Sequence, residues 1–199
     1  DTVIGWHLDN EYGDEMDCHC ARCRETFQSW LETKYLRIDD LNRLWGTVFW
    51  SHEYSAFEQV PTPRVSRTHH NPALLQAWRQ FRSDCTVELV GLHAAAVRSH
   101  AGDQFVSTNN QAEWNSKPDA YAMAEHLDFC GGNYYPFFGE ECQSKDITLA
   151  NLRSFKQRNF TVWELRTGPH LHPKFGGNTA EPGEIERLAL ACIGHGADA

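Results

Sequence analysis

The chain alternates short apolar segments with helical ones along its whole length. Apolar runs typical of buried strands occur at 3–8, 105–107, 127–130 and 160–163. Between them lie segments whose apolar residues recur every three or four positions. Strand and helix in alternation predict a parallel sheet with helical connections, so the fold class is α/β. Either a closed barrel or an open doubly wound sheet satisfies this pattern.

The helical segments differ in how clearly they begin. Asn71 and Pro72 supply an N-cap and a first-turn proline after a polar loop at 50–70. Asp39 and Asp40 are predicted to cap a short helix that carries Leu41 and Trp45. The remaining helices are predicted at 25–36, 72–96, 120–125, 146–158 and 184–193.

Polar residues at the strand ends distinguish the two architectures. Each apolar strand runs into a polar group, in order Asn10-Glu11, Asn109-Asn110, 133–135 and Glu164. In a (β/α)8 barrel, these ends converge on one site. An open sheet more often carries a glycine-rich phosphate turn, and neither GxGxxG nor GxxxxGK[ST] occurs. We therefore expect a (β/α)8 TIM barrel, of which the four visible strands supply about half.

Composition excludes several classes of protein. A hydrophobic content of 41% in 199 residues is enough for a sizeable core. The 27 acidic and 18 basic side chains give a net charge of −9, which argues against nucleic acid as a partner. No apolar run reaches the roughly 18 to 20 residues of a membrane helix, so no membrane partner is expected.

Two glutamates have the chemistry of a glycosidase. A glycosidic bond is cleaved by two carboxyl groups, and Glu11 and Glu164 each stand at the end of an apolar strand. Asn10 precedes Glu11 and offers an amide that can hydrogen-bond a sugar 2-hydroxyl. Aromatic residues that suit a pyranose face and exclude water flank the pair: Trp6, Tyr12 and Trp163. The alternative is that both glutamates are ordinary loop carboxylates.

Several long motifs, in order, resemble the family 42 glycoside hydrolases, the microbial β-galactosidases of clan A. The resemblance covers nearly the whole chain and is far more specific than a lone Asn-Glu pair. The matching runs are GWHLDNEYG from Gly5, CHCARC from Cys18, LNRLWGTVFWS from Leu41, NPALL from Asn71, NYYP from Asn133, WEL from Trp163, GP from Gly168 and GHGAD from Gly194.

The resemblance implies a retaining exo-β-galactosidase that acts on terminal β-D-galactose in oligosaccharides. Glu11 would be the general acid/base and Glu164 the nucleophile, with Asn10 contacting the sugar. Trp50 is expected to line the galactose pocket, with core packing as its alternative. Tyr135 could orient the nucleophile.

Further expectations concern the pocket and the extent of the chain. Asn109 is a candidate for the pocket wall. The family usually has a tryptophan eight residues after the nucleophile, where His172 stands here. A histidine offers a smaller stacking face, so His172 bears on substrate preference. Residues 1–199 are expected to be the central part of one catalytic domain, supplying roughly strands 4 to 7 and truncated at both ends.

Three cysteines form a C-x-C-x-x-C cluster. Cys18, Cys20 and Cys23 can converge on one ion, and zinc with thiolate ligands is the usual solution. A closed structural site needs a fourth ligand. The family resemblance implies a cysteine upstream of Asp1, and His19 is a local substitute. The alternative is three free thiols in a loop.

The sequence is also compatible with two other kinds of function. Another clan A glycosidase would act on β-galactans, α-L-arabinopyranosides or fucosides by the same mechanism. A non-catalytic carbohydrate-binding module, or a zinc-stabilised interaction module, would have kept the barrel strands alone, but such a module has no need of both carboxylates. The resemblance suggests a homotrimer, and we expect a cytoplasmic location.

Overall fold

The computed structural model describes residues 2–13, 17–110, 118–136, 143–168 and 179–199. The helices are α1 (Ala21–Tyr35), α2 (Ile38–Trp45), α3 (Pro72–Arg98), α4 (Ala120–Ala124), α5 (Gln143–Lys156) and α6 (Glu184–His195). The strands are β1 (Gly5–His7), β2 (Phe105–Ser107), β3 (Asn109–Asn110), β4 (Gly131–Tyr134) and β5 (Thr161–Leu165). Two short 3₁₀ turns span Phe49–Ser51 and Phe57–Gln59.

The chain divides into two compact units. The strand unit comprises Asp1–Asp14 and Thr86–Ala199 and contains every described strand with α4, α5 and α6. The helical unit comprises Glu15–Cys85 and contains α1, α2 and the first half of α3.

Every strand pair in the described residues is parallel. β1 pairs with β2, and β3, β4 and β5 form a second sheet in that order. Only Thr108 separates β2 from β3, and its hydroxyl donates to the Leu8 carbonyl oxygen at 2.6 Å. After α6, Ala197 pairs in parallel with Phe160 at the start of β5. The predicted α/β fold with parallel strands in chain order is thus confirmed, while closure into a barrel stays a prediction.

A β-bulge in β5 determines which side chains face the site. Gly132 pairs with Val162 and Asn133 pairs with Glu164, so Trp163 is the extra residue. Val162 packs against an apolar cluster formed with α5 and α6. The bulge therefore interrupts the alternation of side chains along β5.

The two glycines of β4 show how the faces are assigned. A Cβ on Gly132 would meet Leu152 of α5 at 2.5 Å, so this position faces the helices. A Cβ on Gly131 would come within 2.0 Å of Trp163 Nε1, so Gly131 faces the opposite side. The indole therefore lies away from the helices, on the face of the sheet that also carries Asn133.

The position of the third strand was predicted wrongly. The sequence predicts a strand at 127–130 followed by a loop, but β4 occupies Gly131–Tyr134 and all four of its residues are buried. Glycine has a low strand propensity, which hides this strand from pattern reasoning. Here the missing side chains leave room for Trp163 and Leu152.

Most predicted helices are present, with small differences in their ends. α3 begins at Pro72, and Asn71 Oδ1 accepts a hydrogen bond from the Ala73 N–H at 2.8 Å, as expected of an N-cap. Asp39 and Asp40 lie inside the first turn of α2 and do not cap it, since its N-cap is Arg37. Among the described helices, none has the length and apolar character needed to cross a membrane.

The helical unit has an aromatic core. α1 contributes Phe27 and Leu31, α2 contributes Trp45, and α3 contributes Trp78 and Phe81. The Phe27 and Trp78 rings meet edge to face with centroids 5.1 Å apart. Apolar side chains at helical spacing thus pack the three helices together.

Candidate active site

Glu11 lies in the loop after β1 and Glu164 lies within β5, both in the strand unit. Glu11 has a φ of 51°, in the left-handed region, which costs a residue with a Cβ about 1 kcal/mol or more. Its N–H donates to Asn109 Oδ1 at 2.8 Å, which holds the backbone in this conformation. A neighbouring strand therefore fixes the position of the Glu11 carboxyl.

Asn109 connects the two carboxylate segments. Its side chain is only 1% exposed. Its Nδ2 atom lies 3.1 Å from Glu164 Oε1 and 2.8 Å from Asn10 Oδ1. A buried amide needs partners for its donors, and here these are side chains on both sides of the predicted site.

Asn133 contacts the other carboxylate. Its Nδ2 donates to Glu11 Oε1 at 2.6 Å, and its Oδ1 lies 3.4 Å from Asn109 Nδ2. Asn133 is 4% exposed and pairs in register with Glu164 across the bulge. The two buried asparagines thus join Glu11 to Glu164 through continuous hydrogen bonds.

Tyr135 follows β4 and donates its hydroxyl hydrogen to Glu164 Oε2. Burial raises the pKa of Tyr135 above its ordinary value, and the hydrogen bond to Glu164 and the charges of Glu164 and Glu11 raise it further. The phenol therefore stays protonated at neutral pH and can donate. The contact that the sequence suggested is present, and its role in orienting a nucleophile stays a prediction.

An aromatic layer adjoins the polar groups. The Trp163 ring meets His7 edge to face at 5.0 Å and lies 6.2 Å from Phe129, which packs on Phe105 at 4.9 Å. Trp163 immediately precedes Glu164 on the bulged strand. This layer supplies apolar surface next to the carboxylate.

The other two expected aromatic neighbours have different contacts. Tyr12 is buried in an apolar cluster with its hydroxyl 2.6 Å from His93 Nδ1. Trp6 is partly exposed and donates from its indole N–H to Gln104 Oε1 at 2.7 Å. The expectation that Trp6 and Tyr12 flank the carboxylates finds no support in these contacts.

Trp50 belongs to the helical unit, and its side chain is 66% exposed. It stacks on Phe49 with centroids 4.8 Å apart and has a φ of 57°. The alternative of core packing is wrong for Trp50, because the residue is exposed, whereas Trp45 is part of the core. Its place in a sugar pocket stays a prediction, and His172 lies outside the described residues.

The three clustered cysteines are together in the helical unit. The Sγ atoms of Cys18, Cys20 and Cys23 all lie within 4.8 Å of one another. Cys20 is the N-cap of α1, and its sulfur accepts from the Cys23 N–H at 3.5 Å. This bond and further ones from the Cys23 and Cys18 thiols lower the pKa of Cys20 to about 7. Side-chain hydrogen bonds with Cys18, the largest cause, and with Cys20 raise the pKa of Cys23 to about 12.

This geometry fits a metal ion. Tetrahedral zinc with bonds of about 2.3 Å requires sulfurs about 3.8 Å apart, which the cluster can supply with small side-chain adjustments. Among the described residues, no further histidine, cysteine or carboxylate joins the three thiols. His19, the local substitute, stacks on Trp78 at 5.2 Å and has a buried Nδ1. Of the other cysteines that the structure describes, Cys130 and Cys192 are buried and Cys85 is exposed.

Sequence reasoning missed two residues of this region. Asn133 was recognised as a strand-end residue but given no contact with Glu11. Arg166, two residues after Glu164, is buried and donates to the carbonyl oxygens of Pro136 and Gly168 at 3.3 and 3.1 Å. The spacing of Asn133 and Tyr135, which places both on one face at a strand end, could have indicated the first. No local signal distinguishes Arg166 from a surface arginine.

Comparisons with known proteins identify the family. The family model of glycoside hydrolase family 42, described as beta-galactosidase, matches residues 1–199. The chain is 44% identical over 202 residues to beta-galactosidase BglY of Alicyclobacillus acidocaldarius, covering 98% of this chain and 29% of that protein. It is 34% identical over 202 residues to beta-galactosidase BgaA of Clostridium cellulovorans, covering 99% and 30%.

A solved structure agrees. The polyextremophilic beta-galactosidase of the haloarchaeon Halorubrum lacusprofundi superposes with a TM-score of 0.90 at 31% identity, over 99% of this chain and 32% of that one. The chain thus spans about a third or less of the length of the relatives it matches. It belongs to glycoside hydrolase family 42, the β-galactosidase family.

Proposed function

We propose that the protein containing this chain is a retaining exo-β-galactosidase that hydrolyses terminal β-D-galactose by double displacement. The observation that carries the proposal is the pair of carboxylates joined by Asn109 and Asn133. Family membership over all 199 residues supports the same activity.

In the first step, a Glu164 oxygen attacks the anomeric carbon while Glu11 protonates the glycosidic oxygen. The bond from the anomeric carbon to the leaving group breaks, and a galactosyl-enzyme ester forms. The Tyr135 hydroxyl donates to Glu164 Oε2 and Asn109 donates to Oε1, so both oxygens of the nucleophile are held in place. Tyrosine thereby orients the nucleophile and restrains its rotation.

In the second step, Glu11 acts as a base. Its carboxylate takes a proton from water, the water oxygen attacks the anomeric carbon, and the ester bond to Glu164 breaks. Two inversions give net retention. The aromatic layer around Trp163 excludes bulk water from one side of the nucleophile, so the ester is attacked by the water that Glu11 activates.

Asn10 and, as the family resemblance implies, Trp50 are proposed to contact the sugar. The Oδ1 atom of Asn10 already accepts from Asn109, so its NH₂ group serves a sugar hydroxyl. Trp50 offers an exposed ring suited to an apolar sugar face. Asn109 was a candidate for the pocket wall, but its amide contacts favour a role in holding the other residues.

The second candidate is another clan A substrate, such as an α-L-arabinopyranoside, a fucoside or a β-galactan. His172 stands in place of the family's usual tryptophan and is the reason for this second candidate. The strength of stacking on the sugar affects which sugar binds best. The retaining mechanism is the same for these substrates.

The architecture proposed for the whole domain is a (β/α)8 barrel, of which this chain supplies roughly strands 4 to 7. Parallel strands in chain order and the 0.90 TM-score support it. The homotrimer that the family resemblance suggests and the expected cytoplasmic location stay predictions.

The cysteine cluster is proposed to hold structural zinc, with Cys18, Cys20 and Cys23 as ligands and a fourth ligand upstream of Asp1. The mutual proximity of the three sulfurs supports this. Cys20→Ser in the full-length protein should lose stoichiometric zinc and lower the melting temperature, with kcat/KM unchanged. Cys85→Ser, outside the cluster, is the matched control. Full zinc retention in Cys20→Ser would contradict the proposal.

The function is tested with a panel of nitrophenyl glycosides and the full-length protein. We expect the highest kcat/KM for the β-D-galactoside, with the β-anomer of galactose as first product by NMR. Glu164→Ala with added azide should form the α-galactosyl azide, and Glu11→Ala the β-galactosyl azide. A first product of inverted configuration would overturn the mechanism, and a higher kcat/KM for another sugar would overturn the named substrate.

A further inference from the structure

Three hydrogen bonds form a closed ring around Glu11. Its backbone N–H donates to Asn109 Oδ1 at 2.8 Å, Asn109 Nδ2 lies 3.4 Å from Asn133 Oδ1, and Asn133 Nδ2 donates to Glu11 Oε1 at 2.6 Å. The ring therefore starts at the main chain of Glu11 and returns to its own carboxyl.

The ring fixes the orientation of both amides. A backbone N–H can only donate, so the oxygen of Asn109 must face it and the NH₂ group must face away. The two hydrogens of that NH₂ group are shared among three acceptors, Asn10 Oδ1 at 2.8 Å, Glu164 Oε1 at 3.1 Å and Asn133 Oδ1 at 3.4 Å. Asn133 must then present its oxygen to Asn109 and its NH₂ group to Glu11.

The orientation determines where Glu11 carries its proton. Asn133 Nδ2 is a donor only, so Glu11 Oε1 must remain an acceptor whether the carboxyl is charged or neutral. We infer that Asn133 is a positioning residue that confines the transferable proton to Oε2 of Glu11. This inference rests on the proposed function, in which Glu11 is the acid/base.

The surroundings make the constraint strict. Asn133 and Asn109 are buried, so turning either amide to leave a polar group unpaired would cost free energy. Asn133 also sits at the bulge, in register with Glu164. Asn133 thus contacts the acid/base Glu11 through its side chain and pairs through its backbone with Glu164, the nucleophile.

A purely structural asparagine would behave differently. If Asn133 only satisfied buried polar groups, its loss would lower kcat/KM by the same factor for every substrate. If it positions the proton of Glu11, the loss depends on the leaving group, because a dinitrophenolate departs without protonation and a phenolate or alkoxide needs it.

The test uses the full-length protein and kcat/KM, which reports the first step. For Asn133→Ala, we expect a loss of about 10²-fold with phenyl β-galactoside and less than about threefold with 2,4-dinitrophenyl β-galactoside, from the usual size of general-acid catalysis. Asn42→Ala is the matched structural control in the helical unit, because Asn42 Nδ2 donates to the Tyr54 carbonyl oxygen at 2.7 Å and its Oδ1 accepts from the Tyr54 N–H at 3.0 Å. It should affect both substrates equally.

The isosteric Asn133→Asp variant keeps the shape if Asn133→Ala fails to fold. A second negative charge beside Glu11 favours the protonated carboxyl, so the basic limb of the kcat/KM profile should move to higher pH by about one unit or more. Equal losses on both substrates together with an unmoved basic limb would overturn the inference while leaving the function intact. If the unsubstituted protein hydrolyses neither galactoside, the proposed function fails, and the inference fails with it.

Discussion

Buried amides in the two units have different partners. In the helical unit, Gln28 of α1 donates to the carbonyl oxygens of Glu58 and Val60 at 2.7 and 2.9 Å. In the strand unit, Asn109 and Asn133 donate to carboxylate oxygens. A buried amide bound to main-chain oxygens holds a loop in place. One bound to carboxylates holds acidic groups that would otherwise repel each other, which indicates a site of chemistry.

The largest effect should come from the strand unit. Glu164→Ala removes the proposed nucleophile, and kcat for a nitrophenyl β-galactoside should fall by about 10⁴-fold or more. The melting temperature should stay equal or rise, because one of two neighbouring carboxylates is gone. Glu88→Ala, an exposed glutamate of α3, is the control and should keep full activity. Undiminished hydrolysis by Glu164→Ala would contradict the claim that amides bound to carboxylates mark the catalytic site, whereas amides bound to main-chain oxygens only hold loops.

Tyr135→Phe should have the next largest effect. A hydrogen bond to a charged group contributes about 1.5 to 3 kcal/mol, so kcat should fall about 10- to 100-fold. The raised pKa of Tyr135 keeps the phenol neutral, so its own ionisation adds no limb below pH 10. An unchanged kcat would argue against contact between Tyr135 and the working nucleophile.

Two tryptophans of the helical unit test the separation of binding from packing. Trp50→Ala removes an exposed ring, so KM should rise about three- to tenfold with an unchanged melting temperature. Trp45→Ala removes a ring that is 7% exposed, so the protein should lose about 3 to 5 kcal/mol of stability while KM holds. The pattern is checked by kinetics and thermal unfolding on the same samples. If Trp50→Ala instead lowered the melting temperature and left KM unchanged, Trp50 would have a structural role.

The smallest effect on activity should follow Gln28→Ala. Two carbonyl oxygens lose their donor, which should lower the free energy of unfolding by about 1 to 3 kcal/mol. kcat/KM should be unchanged for every substrate. Asn109→Ala is the matched change in the strand unit and should lower kcat/KM by about tenfold or more, since it releases both carboxylate segments. Equal kinetic losses in the two variants would erase the distinction between the units.

The sequence predicts the alternation of strands and helices and places polar residues at strand ends, and the family resemblance implies that Tyr135 lies beside Glu164. It does not predict β4, because glycine has a weak strand preference. The two glycines of β4 are explained by packing, since they leave room for Trp163 and Leu152. It also cannot show the bulge that gives Trp163 and Glu164 one face, or the ring through Asn133. These features depend on contacts between residues distant in the chain, which local patterns do not encode.

The central claim is that Glu164 bonds to the sugar. The most direct measurement is to inactivate the full-length protein with an activated 2-deoxy-2-fluoro-β-galactoside and map the labelled peptide by mass spectrometry. The 2-fluoro group slows hydrolysis of the ester, so the intermediate accumulates. The account predicts a single label on the Glu164 carboxylate, lost on slow reactivation and absent in Glu164→Ala. A label on Glu11 or on another residue, in an enzyme that turns over β-galactosides, would contradict it.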